Sequence, residues 1–345
     1  MNNYQQEERQ RRQNLLIVEG NHEKDRLFWL IFRCFPEIDI NVDDIWIYGT
    51  NIYLLYEDIQ KEYGDTWAES GDDIDLPFVI SRKQHSAYLR YKEDFTNIIL
   101  IFDYERHDGN FSEEKILKMQ KYFVDAADMG KLYLNYPMIE SYQHLKTLPD
   151  QDYGARKIPV SLQPGKRYKA LVKSESVIAK YIEFPHRIED LLREHFGICE
   201  EEKSRSCCEK ITYLFEESSL DDKIQTILSG YIEEKYLQTA KYQIKDKIEK
   251  VGYLHNRQNY WEYMRDIFRQ IIYHNICKAN WIQNRQYFIE QNQYKQCFEG
   301  LDLTKILEVQ NKSSKDVDTG FIWVLNTCVL FVAEYQFDLV IDGTV

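Results

Sequence analysis

Two short acidic motifs close apolar runs: Leu15-Leu16-Ile17-Val18-Glu19-Gly20, and Ile98-Ile99-Leu100-Ile101-Phe102-Asp103-Tyr104-Glu105. Four or more consecutive aliphatic residues ended by a turn residue suit a strand buried on both faces of a sheet. In α/β sheets of that kind ligands bind beyond the carboxyl ends of the strands. Glu19, Asp103 and Glu105 are therefore expected where the sheet presents its chemistry. Three carboxylates converging there make an all-oxygen site for a hard divalent cation such as Mg²⁺. Metal-assisted phosphoryl chemistry is the leading expectation.

The elements that must position these acids alternate along the first half of the chain. A helix is expected from His22 to Phe35, where Leu27, Leu30, Ile31 and Cys34 recur at helical spacing, and Pro36 closes it. Ile45–Tyr48 reads as a second strand and Tyr53–Tyr63 as a helix. The acidic stretch 64–94 reads as an irregular insertion. Asn97–Phe102 is the third strand, Ser112–Met129 an amphipathic helix whose first turn carries Glu113 and Glu114, and Lys131–Asn135 a fourth strand. Such alternation implies an α/β fold with a mostly parallel sheet flanked by helices. From about residue 150 the apolar residues recur at helical spacing, as in Ile224, Ile227, Leu228 and Tyr231, so a mainly helical domain over 151–345 is expected beside an α/β domain over 1–150. Phe321–Ala333 reads as a buried helix, too short and too polar to cross a bilayer.

Composition narrows the class. The net charge is −13, and residues 1–150 hold 17 Lys and Arg against 28 Asp and Glu. An acidic chain is a poor free-standing binder of nucleic acid, because affinity for phosphates comes mainly from Lys and Arg. A basic patch or a partner must then supply the attraction. The run from Ala155 to Ser174 has no acid and carries Arg156, Lys157, Lys166, Arg167, Lys169 and Lys173 around Tyr168. Basic residues about an aromatic suit a phosphate backbone with one base stacked, although a solvated linker has the same composition. The seven cysteines are scattered and odd in number, which favours reduced thiols and a cytoplasmic protein. His195, Cys199, Cys207 and Cys208 lie close together but lack the paired spacing of a zinc site. The polar start, Met1–Gln13, has no apolar core of a signal peptide.

The quoted motifs resemble the Toprim domain, the α/β metal-binding module of topoisomerases, primases and several nucleases. Glu19-Gly20 matches the Glu-Gly that ends its first strand. Asp103-Tyr104-Glu105 matches its Asp-x-Asp with Glu in the final place, and Gly49-Thr50-Asn51 fits the turn after its second strand. Pro137-Met138-Ile139-Glu140-Ser141-Tyr142 is similar to an element of small Toprim nucleases paired with ABC-type ATPases, in the manner of the overcoming-lysogenisation-defect and PARIS anti-phage effectors. The resemblance covers about 1–150. It implies that Asp103 and Glu105 hold Mg²⁺ or Mn²⁺, that Glu19 binds metal or serves as general base, and that Glu140 completes the shell. Lys24, His22, Arg106 and His107 are then candidates to contact the scissile phosphate. It further implies a toxic defence nuclease cleaving DNA or RNA, controlled by an ATPase sensor and able to dimerise.

Other readings of the same residues stay open. Glu19 also suits a helix N-cap, Asp103 and Glu105 a solvated turn, and Glu140 an acid at a helix start. A haloacid-dehalogenase-like phosphatase shares a strand-end Asp with a second acid two residues on, yet leaves Glu19-Gly20 unexplained. A non-catalytic Toprim-like subunit of an ATPase complex is the alternative from another class; retention of all three acids favours catalysis.

Overall fold

The computed structural model describes residues 13–69, 73–85, 89–215, 218–287 and 290–341. Its strands are β1 (Gln13–Val18), β2 (Trp46–Ile47), β3 (Phe95–Asp103), β4 (Val124–Asp125), β5 (Gly130–Tyr136), β6 (Lys157–Pro159), β7 (Phe321–Trp323) and β8 (Leu325–Asn326). The main sheet runs in the order β2-β1-β3-β5-β4, with β8 pairing the end of β5. β2, β1, β3 and β5 are parallel, in a register that sets Val18 beside Ile101 and Asp103 beside Asn135. β4 and β8 are antiparallel to β5. Leu16, Ile17, Leu100 and Ile101 are wholly buried, as a parallel sheet covered on both faces requires. The expected α/β architecture with a mostly parallel sheet is therefore present.

Local sequence explains most boundaries. After Gly20 the chain makes a π-helical turn, Glu23–Phe28, that runs into an α-helix, Trp29–Cys34. Asn51 caps the helix Ile52–Tyr63 by accepting from the Leu54 N–H, and Ser112 caps Glu113–Tyr122 in the same way. The latter helix stops seven residues short of the expected Met129. Val124 and Asp125 instead pair with Lys131 and Gly130 as an edge strand, and Asp125 accepts from the Ala127 N–H in the turn. The segment 64–94 also has more order than expected. Asp75 caps a helix, Leu76–Lys83, and takes the Lys92 N–H as well.

The second half is mainly helical, and its longest element is the helix Tyr260–Asn284, opened by an Asn259/Glu262 capping box. It does not form a core of its own: buried apolar residues from both sides of residue 150 make one continuous cluster. Trp261 meets Trp29 edge-on with ring centroids 5.5 Å apart. Phe321–Ala333 is buried, but it is not one helix. It divides into β7, β8, a 3-10 turn (Cys328–Leu330) and the start of a short helix, Phe331–Tyr335. Asn326 decides this break: its side-chain amide donates to the Ile139 carbonyl and Ser141 hydroxyl, and its N–H donates to Asn275. Among the described residues no helix is long and apolar enough to cross a membrane.

Candidate functional site

β1 and β3 are neighbours and run the same way, so their last residues open on the same end of the sheet. Glu19 follows β1 directly, and its carboxylate accepts the Asp103 backbone N–H at 3.2 Å. Asp103 ends β3, and its Oδ1 accepts from the Asn135 amide on β5 at 3.2 Å. The next residue, Tyr104, turns inward. Its hydroxyl bonds Asn311 and Ser314, and its carbonyl accepts from the Tyr53 hydroxyl. With Tyr104 anchored, Glu105 takes a left-handed backbone (φ 41°) and hydrogen-bonds the Asn51 side chain. The chain thus leaves the extended state between the two acids, as their joint use requires.

Two further carboxylates join this end of the sheet. Glu23 accepts the Gly20 N–H at 2.9 Å from the first turn after β1. Glu140 sits on a 3-10 turn after β5. Asp103, Glu23 and Glu140 are only 4, 5 and 6 % exposed, too deep for water to screen them. The Lys169 ammonium lies 2.9 Å from Glu140 Oε1, and His22 Nδ1 lies 3.8 Å from the same oxygen. Neither Glu140 oxygen is in hydrogen-bonding geometry, and Asn135 Oδ1 is likewise buried without a partner.

Electrostatics follow from this crowding. Burial first, then the charges of Glu105 and Glu23, push Glu19 up to about 9, against the opposing Asp103 N–H. Burial, Glu19, Glu23 and Glu140 hold Asp103 well above the ordinary carboxylate range. Burial raises Glu23 to about 7, with Glu140 adding to it. Glu105 is raised by burial and by Asp108. Burial disfavours the Lys169 charge, yet Glu140, Asp103 and Glu23 hold its ammonium above the usual lysine value. An added cation would relieve the same repulsion.

Of the expected ligands, Glu19, Asp103, Glu105 and Glu140 gather at this end of the sheet. As they stand, no three His, Cys, Asp or Glu side chains among the described residues close around a single point. The donor set nevertheless fits a hard cation: it is all oxygen, buried at Asp103, Glu23 and Glu140 and partly buried at Glu19 and Glu105, and it includes Glu140 Oε2 and Asn135 Oδ1, which have no partner of their own. Glu23 and Asn135 are not singled out by the sequence motifs. Asn135 carries a usable signal, since it is the polar residue at the carboxyl end of the next parallel strand. Lys24 is half-buried on the turn after Glu19 and pairs with none of these carboxylates among the described residues.

The basic run requires correction. Arg156 does not face a nucleic acid: it is buried, bonding Asp150 Oδ2 and the His144 carbonyl, each at 2.6 Å. Tyr168 does not stack on a base either, being wholly buried with its hydroxyl 3.1 Å from His144 Nδ1. Arg156 follows a 3-10 turn that brings it to Asp150, and Tyr168 lies on the face of the helix Lys166–Glu175 that packs on the core. Lys157 is exposed, its ammonium over the Phe321 ring at 4.0 Å. Lys166, Arg167, Lys169 and Lys173 lie on the exposed side of the helix, and Lys169 alone of these four reaches the carboxylates. Arg106 is taken up by the Ser314 and Lys315 carbonyls. No protein-family model matches the chain, and no curated protein or solved structure shows significant similarity to it.

Proposed function

We propose that this protein is a Toprim-like, divalent-metal-dependent hydrolase of nucleic-acid phosphodiester bonds. The observation that carries the reading is the part-buried contact of Glu19 with the Asp103 N–H across two parallel strand ends, with Glu23, Glu105 and Glu140 crowded near it. Glu19, Asp103 and Glu105 would hold Mg²⁺ or Mn²⁺, with Glu140 and Asn135 beside them. A bound divalent ion supplies charge neutralisation at phosphate and a water of lowered pKa. Glu19, already inclined to keep a proton, suits the acceptor of a proton from that water. Lys169 stands between the carboxylates and the exposed cations Lys166, Arg167 and Lys173, so a phosphate backbone lying along this helix would reach the acids through it. The motif around Glu140 supports a toxic effector of anti-phage defence, restrained by an ABC-type ATPase partner and acting as a homodimer.

The test compares wild type with Glu19→Gln and Asp103→Asn for cleavage of single- and double-stranded DNA and RNA in Mg²⁺ or Mn²⁺, alone and with any co-purifying ATPase. Cleavage in the wild type should fall by roughly 10³-fold or more in either variant, while circular dichroism remains unchanged. Undiminished cleavage in both variants would place the chemistry elsewhere. A wild type inert on every substrate, even with its ATPase, would favour a non-catalytic subunit.

A further inference from the structure

Lys169 belongs to two charged surfaces at once. Lys166, Lys169 and Lys173 follow one another at steps of three and four residues, so they form one stripe on the exposed side of the helix Lys166–Glu175. Toward solvent this stripe is a row of like charges. Inward, the Lys169 ammonium lies 2.9 Å from Glu140 Oε1, and Asp103 and Glu23 act on it as well. The two partners differ in depth: the Glu140 side chain is 8 % exposed and that of Lys169 47 %. The acid is buried, whereas the ammonium stands at the boundary with solvent. His22 also approaches Glu140 Oε1, at 3.8 Å, but it lies outside the stripe.

The helix is anchored where it bears Lys169. Tyr168 and Val172 are buried, the Tyr168 hydroxyl meets His144 Nδ1 at 3.1 Å, and Glu175 is held by His144 and Lys146, each at 2.8 Å. Lysine, by contrast, carries its charge as a point on a flexible four-carbon stem. Its ammonium can leave Glu140 for solvent by side-chain rotation alone, with the backbone in place. A divalent cation brought to Glu140 repels that ammonium. A phosphate laid along the stripe attracts it. Both events move Lys169 the same way.

We infer that Lys169 couples the two surfaces: a nucleic-acid phosphate that takes its ammonium releases Glu140 to a divalent cation, and the cation in turn releases Lys169 to the phosphate. This rests on the metal-dependent reading proposed above and adds its regulation. Without nucleic acid Lys169 is an internal competitor for Glu140, so the acids take up their ion best when substrate is present. Coupling of this kind is reciprocal, each ligand tightening the other by the same factor.

Electron paramagnetic resonance of free Mn²⁺ measures the ion's affinity for the full chain, with and without short phosphorothioate duplexes of DNA and RNA, which resist cleavage. In the wild type a duplex should tighten Mn²⁺ binding about tenfold. Lys169→Met should bind Mn²⁺ a few-fold more tightly than wild type without a duplex, and a duplex should then add less than about half the wild-type factor. That comparison cancels whatever ion the duplex takes up by itself. Lys173→Met, which leaves the Lys169–Glu140 pair in place, should keep the wild-type affinity without a duplex. Lysine acetylation read by mass spectrometry gives a second measure: Mn²⁺ should speed modification of Lys169 about fivefold, with Lys166 and Lys173 unchanged. Mn²⁺ bound equally by wild type and Lys169→Met, with the same tightening by a duplex, overturns the coupling and leaves the metal reading intact. Absence of Mn²⁺ binding in both proteins overturns that reading, and the coupling with it.

Discussion

Two buried charged regions of this molecule behave in opposite ways. Around Asp150 the buried groups find their partners within the protein. Arg156 grips the Asp150 carboxylate, which also takes the Lys146 and Asp152 N–H groups, and burial notwithstanding, Asp150 is held below the ordinary carboxylate range. Lys278 donates to the Tyr153, Gly154 and Arg156 carbonyls, and the Asp150 N–H donates to His274. At the carboxyl ends of β1 and β3 the acids outnumber the cations, and Asp103 and Glu19 are driven up. A region that satisfies its own buried groups is built for the fold. One that keeps a surplus of a single sign is built for something that arrives from outside.

This contrast can be broken by mutation. Arg156→Met should cost about 3–5 kcal/mol in urea unfolding, because it strands the buried Asp150 carboxylate. Asp103→Asn should instead leave stability within about 1 kcal/mol of wild type or raise it, since it removes a repelled charge. Comparable destabilisation in both variants would erase the distinction between the regions.

Acidity gives a second, smaller handle. The raised Glu19 and Glu23 keep protons in the fold that the unfolded chain releases near the usual value of 4.5. The folded state therefore binds more protons from there to about 9, and metal-free stability should decline as pH rises through that window. Asp150 works in the opposite sense: its contribution is present above the unfolded value of 3.8 and fades as pH falls through its lower folded value. Glu19→Gln should recover about 1–2 kcal/mol at pH 9 relative to pH 5. Mn²⁺ should stabilise the wild type more at pH 9 than at pH 6, because its ligands must be ionised. Melting curves with and without Mn²⁺ measure both effects, and a metal-free melting temperature that rises steadily to pH 9 would contradict the assignment of these acids.

The smallest effects sharpen the role of the basic helix. Lys169→Met removes the ammonium that competes for Glu140, so Mn²⁺ should bind a few-fold more tightly while an oligonucleotide binds more weakly. Exchanging Lys166, Arg167 and Lys173 for Gln should weaken oligonucleotide binding and flatten its salt dependence, by about one unit of slope for each phosphate no longer neutralised. Arg156→Lys, conservative in charge and buried, should leave that slope unchanged. A slope insensitive to the triple exchange would remove this helix from the binding surface.

What the residues decided alone is the sheet and its acidic end. Unbroken aliphatic runs need burial on both faces, and only parallel strands under helices provide it; Glu19 and Asp103 then follow at strand ends from their positions in the chain. Local signals were also sufficient for the starts of the helices capped by Asn51 and Ser112, but not for the end of the second, which gives way to an edge strand. Tertiary structure decided the partners. Lys169 meets Glu140, Asn135 meets Asp103, and Arg156 is consumed by Asp150, because helix packing and strand register choose which side chains turn inward. The Phe321–Ala333 segment gives the same lesson: its apolar character foretold burial, but Asn326, bonded to Ile139, Ser141 and Asn275, breaks it into strands and turns. Composition measures how much a residue gains by leaving water, whereas the identity of its neighbour depends on contacts between residues far apart in the chain, which no local pattern encodes.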